Sequence, residues 1–433
     1  MHAPGQAEVP YTPSEATTWS RVKLMAIPRP LRVLAILALT FGVLVIRRPD
    51  QFTHPALWAE SGRIALEDYA SAGWSSLLWP VAGYTSVTFR AINYLAFAID
   101  IDHAPWVAAA LACAVIAAVV VAIAECPTEL KWRWACGAGC LLVPLGAEPF
   151  ATSLMSFWWF GLLLLLALLW SGKTGGLRIS FIWLGGLSTP IIVVLAPLFI
   201  ARAALIRSRG EFVVASQAAI VAVIQAANAI GGNRTVRSYE TPHVSQVIGK
   251  FVGFFFSPGT SFSPNNLLPA MDVGTVAFTA FVACAVWQRT KLGPGFWLLL
   301  AAIVGIVAMT LARLPLQVAF PFVTTPRYFF YPFIIEFWLL IWLGRSGGWP
   351  TGVPALACLA FAVGQGTPHW RVRHTQIDWP AQLRSCAAGA GPILVHTNGL
   401  PAHIWRIAMT AARCQRIMDR SIIPPRRAAT ESR

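Results

Sequence analysis

Charged side chains are scarce in this chain. Asp, Glu, Lys and Arg together make up 12% of its 433 residues, whereas hydrophobic residues make up 56% and the mean hydropathy is +0.61. Soluble globular domains carry about 25% charged residues, so the composition excludes an ordinary soluble globule. It predicts an all-α polytopic membrane protein, because a helix satisfies its own backbone polar groups inside a bilayer.

Motifs that mark several common enzyme classes are also missing. The sequence has no pair of CxxC units, no HExxH and no phosphate-binding glycine loop, so it lacks the minimum parts of the corresponding metal, peptidase and nucleotide sites. No cofactor is implied with certainty, and a divalent cation that bridges a carboxylate and a phosphate stays open. The net charge of +15 does not call for nucleic acid, since basic residues are attracted to the anionic inner leaflet of a membrane.

Apolar runs close to the roughly 20 residues that cross a bilayer core recur along the chain. The run 179–205 is broken by Gly185, Gly186 and Pro190 and is flanked by arginines, which predicts a re-entrant hairpin. With that pair counted as two, we expect about 11 transmembrane or re-entrant helices. The predicted segments are 31–47, 104–124, 134–148, 156–171, 179–205, 212–230, 272–289, 294–313, 327–344 and 351–366.

Lys and Arg in the short connections predict the orientation. With residues 1–30 in the cytoplasm, the basic residues of the short loops fall on the same inner face. The membrane domain is then 31–366, with outer loops at 48–103 and 231–271, and residues 367–433 form a small extracytoplasmic tail. Cys386 and Cys414 lie together in that tail, where an oxidising compartment would let them pair or leave them free.

The outer loop 48–103 concentrates polar side chains that the rest of the chain lacks. It follows the first span and is expected to contain interfacial helices, since its apolar stretch 85–99 has Arg90 and Asn93 in the middle. The side chains it gathers include Asp50, Glu60, Arg63, Glu67, Asp68, Tyr84 and Arg90. Such a cluster predicts a site.

Five stretches of the sequence carry a resemblance to a known superfamily. They are, in order, HPALWAESGRIALEDYASAGWSSLLWPVAGYTSVTFR, EPFATSLMSFWW, GGLSTPIIVVLAPLF, TTPRYFFYPF and IDWPAQLRSC. Together they resemble a bacterial group of multi-pass proteins of the GT-C glycosyltransferase superfamily, in which a WAEDG-like motif follows the first span. The resemblance implies an enzyme of the bacterial inner membrane. It would take a sugar from a polyprenyl-phosphate carrier and transfer it to a cell-envelope glycan or lipid on the extracytoplasmic face, with membrane lipids as partners and no nucleic acid.

The resemblance also implies roles for particular residues. In the superfamily an acidic residue of the first outer loop acts as general base on the acceptor hydroxyl, and Glu60 matches that position. Ser61 stands where the motif has a second acid, so the chain uses Glu60 alone, recruits another carboxylate or is impaired in catalysis.

Glycosyl transfer needs a carboxylate to accept a proton and a cation beside the departing phosphate. Arg327 is favoured for the carrier phosphate, because it stands beside Tyr328 at the expected membrane boundary. The other residues expected to bind substrate are Arg63, Glu67, Asp68, Tyr84, Arg90, Glu148, Arg234, His243 and Tyr328.

Each of these residues also has a structural interpretation, as a helix cap, an ion-pair partner or an interfacial anchor. Two other classes of protein therefore stay open. A transporter or flippase of lipid-linked saccharides would show two similar halves and charges near the middle of several spans. A non-catalytic membrane subunit of an envelope glycan assembly would explain Ser61.

Overall fold

The computed structural model describes residues 28–231, 242–256, 267–322, 325–371, 377–396 and 404–423. These residues are predominantly helical, in agreement with the predicted class. The helices of the first half are α1 (Arg29–Arg47), α2 (Pro49–Thr53), α3 (Glu67–Ala72), α4 (Val87–Ile99), α5 (Ala104–Glu125), α6 (Arg133–Leu142), α7 (Ser156–Leu168), α8 (Gly176–Gly186), α9 (Ile192–Ile206) and α10 (Arg209–Gly231).

The second half is also mostly helical, and the described residues contain two short pairs of strands. Its helices are α11 (Val244–Ile248), α12 (Phe254–Phe256), α13 (Leu267–Trp287), α14 (Pro294–Leu311), α15 (Phe330–Ser346), α16 (Trp349–Gly366), α17 (Trp379–Ala387) and α18 (Ala411–Asp419). The antiparallel strand pairs are β1 (Pro80–Val81) with β2 (Tyr84–Thr85), and β3 (Ile393–His396) with β4 (Ile404–Ile407). Ile393 lies opposite Ile407 in the second pair.

Among the described residues, five segments are long and apolar enough to cross a membrane. They are α1, α5, α14, the Arg209–Ile230 part of α10 and the segment Pro326–Ser346 that contains α15. Helices also occupy the other predicted segments, but several are shorter than a span. For example, α6 stops at Leu142 because Pro144 has no backbone N–H and disfavours a helical conformation in Val143. The chain is thus a helical protein of membrane type, and the count of 11 spans, the membrane and the orientation stay predictions.

The predicted break in the run 179–205 is present. Helix α8 ends at Gly186 and α9 begins at Ile192. The glycines at the break allow close packing, since a Cβ at Gly185 would lie 2.8 Å from the carbonyl oxygen of Phe160 and one at Gly186 would lie 2.5 Å from Val221. The turn between α8 and α9 therefore sits close against α7 and α10.

A second hydrophobic core joins the first loop to the C-terminal tail. Side chains of the loop, such as Tyr69 and Phe97, are buried in one cluster with Trp379 and Val395 of the tail. The indole N–H of Trp379 donates a 2.7 Å hydrogen bond to the carbonyl oxygen of Ile101. We call this layer, residues 48–103 with 377–396 and 404–423, the loop–tail layer; its two parts share one hydrophobic core.

A disulfide bond closes the tail part of the loop–tail layer. Cys386 of α17 and Cys414 of α18 are bonded, with their Cα atoms 6.0 Å apart. The bond thus joins the only two helices that the structure describes in the tail, and it realises one of the two alternatives left open for these cysteines.

Candidate active site

A cavity of about 180 Å3 opens where five parts of the chain meet. The first loop contributes Glu60 and Tyr84, and the turn between α8 and α9 contributes Thr189. The start of α7 contributes Trp158, and the far wall comes from the end of α14 and from Arg327. Segments far apart in sequence therefore enclose one space, which we call the Glu60 cavity.

The backbone changes direction just before Glu60. Ala59 has a φ of +31°, in the left-handed region that side chains other than glycine rarely adopt. A π-helical turn, Ser61–Leu66, follows directly. Left-handed residues cost about 1–3 kcal/mol and concentrate at functional sites, as π-helical turns do. This kink leaves Trp58 buried on one side and places Glu60 at the cavity wall.

Arg327 lies between two carboxylates. Its Nη1 donates a 3.1 Å hydrogen bond to Oε1 of Glu60 and is 3.9 Å from Oε1 of Glu148. Oε2 of Glu60 is buried, and no donor among the described residues reaches it. We call these three residues the Glu60 cluster. With two carboxylates and one guanidinium, it retains one acceptor oxygen for a further hydrogen-bond donor.

Two buried arginines at the end of α1 hold the loop that carries Glu148. Arg47 donates hydrogen bonds of 2.6–3.1 Å to three carbonyl oxygens within 141–145. Arg48 donates bonds of 2.8 and 2.9 Å to two carbonyls within 147–150. Hydrogen bonds to a charged group stabilise by about 1.5–3 kcal/mol each. The loop is therefore fixed at both sides of Glu148.

The same loop touches the segment that leads to Arg327. The N–H of Gly146 donates a 3.0 Å hydrogen bond to the carbonyl oxygen of Pro321. A Cβ at position 146 would lie 2.3 Å from the carbonyl oxygen of Phe322, so only glycine fits. This close approach brings Glu148 and Arg327 together.

Aromatic side chains line the wall beside the cluster. Tyr84 follows a tight turn in which Ala82 and Gly83 both have positive φ, and the side chain of Gln225 fixes the neighbouring backbone of Thr85 with two hydrogen bonds of 2.9 and 3.0 Å. Burial raises the pKa of Tyr84 to about 12, although the nearby charge of Arg327 opposes the shift. The hydroxyl therefore keeps its proton at neutral pH and can donate a hydrogen bond.

Trp158 and Tyr328 form the opposite part of this wall. Their rings meet edge to face with centroids 6.2 Å apart. Trp158 also stacks on Tyr331 at 4.9 Å, and the Tyr331 hydroxyl donates a 2.9 Å hydrogen bond to the carbonyl oxygen of Trp158. Fixed aromatic faces of this kind suit the apolar faces of sugar rings.

Arg313 is a cavity residue that sequence reasoning missed. It lies just beyond the end of α14, is exposed, and places its guanidinium carbon 5.7 Å from the centre of the Tyr84 ring. No carboxylate of the described residues forms a salt bridge with it. The sequence interpretation placed position 313 inside a span, although an arginine at the end of an apolar run was a usable signal.

Several predicted residues of the loop–tail layer do not line the Glu60 cavity. The buried Arg90 forms an ion pair with Asp68 and donates a 3.0 Å hydrogen bond to the Tyr94 hydroxyl. Partial burial raises the pKa of Glu67, and the charge of the exposed Arg63 opposes that shift.

Two further predicted residues lie in the second predicted outer loop. The exposed His243 precedes α11, where its backbone N–H donates a 3.3 Å hydrogen bond to Oε1 of Gln246. Arg234 lies outside the described residues. The residues that the structure brings together are therefore Glu60, Tyr84, Glu148, Arg327 and Tyr328.

Ser61 does not face the cavity. It is fully buried, and its Oγ is 3.1 Å from Oγ of Ser153, which in turn donates a 3.0 Å hydrogen bond to Oδ1 of Asn93. In this chain, position 61 belongs to a buried hydroxyl network behind the cavity. Glu148 is the second carboxylate that contacts Arg327, the arginine that binds Glu60.

Comparison with protein-family models, curated proteins and solved structures finds no match to the chain. The fold and the site therefore define a class only: a helical protein of membrane type in which a buried carboxylate, an arginine and aromatic rings surround a cavity. Within the described residues no group of three or more His, Cys, Asp or Glu side chains could hold a metal ion.

Proposed function

We propose that the chain is a membrane glycosyltransferase of GT-C type. It would move a sugar from a polyprenyl-phosphate carrier to a cell-envelope glycan or lipid on the extracytoplasmic face. The observation that carries the proposal is Glu60, with one oxygen held by Arg327 and the other buried at a cavity without a described donor. The disulfide in the tail that packs beside the loop supports an oxidising side.

In the proposed reaction the acceptor hydroxyl donates its hydrogen bond to the carboxylate of Glu60. Its oxygen attacks the anomeric carbon, the bond from that carbon to the carrier phosphate breaks, and the phosphate leaves with the electron pair. Glu60 takes the hydroxyl proton. General-base catalysis of this kind contributes roughly 10²–10⁴-fold. Arg327 keeps the carboxylate in position, and the rings of Trp158 and Tyr328 pack against the sugar.

The carrier phosphate is best placed at Arg313. Arg327 already contacts two carboxylates, which compete with a phosphate for its guanidinium. At an effective dielectric constant of about 20, one unit charge at 4 Å contributes about 4 kcal/mol. Arg313 stands at the same cavity without such a described partner and beside the Tyr84 ring. In our proposal Arg313 stabilises the departing phosphate and Arg327 positions the base.

Mass spectrometry of surface glycans tests this function. Cells that lack the protein should lose one sugar unit from a defined glycan or lipid, and the wild-type gene should restore it. Glu60→Gln should not restore it although the protein reaches the membrane in normal amount. Asp419→Asn, a change of an exposed carboxylate in the tail, serves as the matched control and should restore it fully.

The same experiment separates the proposal from its alternatives. Full restoration by Glu60→Gln would assign the chain to a non-catalytic subunit. Accumulation of the complete lipid-linked saccharide on the inner face in cells without the protein would assign it to transport. Unchanged glycans in those cells would count against all enzyme interpretations.

A further inference from the structure

A second cavity of about 290 Å3 lies among α13, α14, α15 and α16. Its walls are almost entirely apolar and include Phe256, Phe281, Leu300, Leu339, Leu343 and Pro354. Some of its lining side chains are themselves exposed, with Val304 of α14 at 64% and Phe278 of α13 at 39%. In a membrane such side chains meet lipid, so the cavity is open to the lipid phase.

One carboxyl group lies in this apolar space. Both oxygens of Glu336 are buried, and no hydrogen-bond partner for either is present among the described residues. An ionised carboxylate without a cation is too costly in such surroundings, so the group is the neutral acid. A neutral acid without a partner still costs about 1–3 kcal/mol. Ionisable side chains inside the membrane usually have a function, and the Glu60 cavity does not involve this one.

The polar groups of the cavity lie at its two ends. Glu336 is the first residue of α15 that lines the cavity and Leu343 is the last, which separates them by about 10 Å along the helix. Thr351 is next to Leu343, whose carbonyl oxygen accepts a 3.4 Å hydrogen bond from its hydroxyl. The space is therefore a channel with an unpartnered acid at one end and an apolar interior.

The volume limits what can occupy this channel. The cavity of about 290 Å3 is enclosed by side chains of four packed helices. A single hydrocarbon chain fits. A neutral carboxyl both donates and accepts a hydrogen bond, so its best partner is a group that does both, such as a hydroxyl.

We propose that this cavity binds a single-chain lipid with a hydroxyl head group. The hydroxyl lies at Glu336 and the hydrocarbon chain runs along Leu339 and Leu343 toward Thr351. The site is separate from the Glu60 cavity, since the two share no lining residue: Leu300 and Ile303 of α14 line this cavity, whereas Ile306 and Met309 near the end of the helix line the Glu60 cavity.

Photolabelling of the full-length protein in phosphatidylcholine vesicles tests the proposal. The probe is hexadecanol with a diazirine in its chain, and the matched control is the diazirine hydrocarbon without the hydroxyl. The alcohol should label peptides from α13, α15 or α16 and compete at least about fivefold better than the hydrocarbon, since a net hydrogen bond contributes about 1 kcal/mol. Glu336→Gln, which still donates and accepts, should retain this preference, and Glu336→Leu should abolish it.

Three results would overturn the proposal. They are equal labelling by the alcohol and the hydrocarbon, a wild-type preference retained in Glu336→Leu, and stronger competition by hexadecylamine, which would indicate an ionised carboxylate and a cationic ligand. Ala355→Phe should fill the channel and reduce labelling by both probes. If that variant fails to fold, the probe pair on the wild type and the two Glu336 variants still decide the question.

Discussion

Two charged clusters lie at opposite ends of α8 and α9, and the one beside the turn between them borders the Glu60 cavity. At one end the turn between these helices lines the Glu60 cavity. At the other end Arg178 binds both oxygens of Glu211 at 2.7 and 2.9 Å, and Arg202 binds Glu129 at 2.6 Å. We call these four residues the Arg178 cluster.

The residue types are the same, but the pairing differs. The Arg178 cluster has one arginine for each carboxylate. In the Glu60 cluster one arginine contacts both carboxylates, the second at 3.9 Å, and Oε2 of Glu60 has no described donor. Burial alone thus does not distinguish the two clusters. The unpartnered acceptor oxygen of Glu60 does.

The largest expected effect concerns the Glu60 cluster. Glu60→Gln should lower sugar transfer by about 10²–10⁴-fold because the base is lost, while the thermal midpoint of the purified protein changes little. Transfer from a panel of radiolabelled polyprenyl-phosphate sugars in isolated membranes measures the first quantity, and thermal unfolding in detergent measures the second. A parallel fall in both would place Glu60 with the structural pairs.

Arg178→Met should produce the opposite result. It leaves Glu211 buried with only part of its partners, and breaking a buried ion pair costs about 3–5 kcal/mol. The free energy of unfolding in mixed micelles should fall by that amount, whereas transfer per folded molecule should be unchanged. Lys173→Met is the control, since Lys173 is exposed at the same end of the helices. Normal stability of Arg178→Met would remove the distinction between the two clusters.

The third prediction concerns Arg313, an arginine that lines the Glu60 cavity. Arg313→Gln should raise the apparent KM for the carrier-linked donor by about 10–100-fold, because a hydrogen bond to a charged group contributes about 1.5–3 kcal/mol. Thermal stability should not change, since Arg313 is exposed. Arg289→Gln, an exposed arginine next to α13, should leave KM unchanged. An equal KM in wild type and Arg313→Gln would return the phosphate to Arg327.

The sequence predicted many of the residues in this comparison, but it did not predict which of them contact each other. Hydropathy located the helices and the break at Gly186, because both follow from local composition. Glu60 and Arg327 were each expected at the site, yet they are 267 residues apart and their pairing depends on how the loops pack. Asp68 and Arg90 are also an acid and an arginine, so by residue type they were equally suitable candidates for the site. The structure turns them toward each other in the loop–tail layer.

The packing of the C-terminal tail could not be predicted from the sequence either. It has few apolar residues, and the sequence predicted only a small separate segment. The buried Val395 and Ile417 instead complete a core with Tyr69 of the first loop, a contact between regions more than 300 residues apart. Hydrophobic pattern identifies which side chains are buried but not the segment that covers them.

The smallest expected effect tests whether the aromatic wall takes part in chemistry or only shapes the cavity. Tyr84→Phe should lower transfer about fivefold, the equivalent of one hydrogen bond of about 1 kcal/mol. Because burial raises the pKa of Tyr84 to about 12, the hydroxyl stays protonated through neutral and mildly alkaline pH.

The sign of the pH dependence follows from that shift. The unfolded tyrosine ionises near pH 10, so the contribution of Tyr84 to stability is complete below that value and is lost as the pH rises from about 10 to 12. Tyr84→Phe should remove this alkaline loss and leave the pH profile of transfer between pH 6 and about 9 unchanged in shape. A new pH dependence of Tyr84→Phe in that range would show that the hydroxyl exchanges its proton with Glu60 during the reaction, and the base would then be a pair of groups rather than one carboxylate.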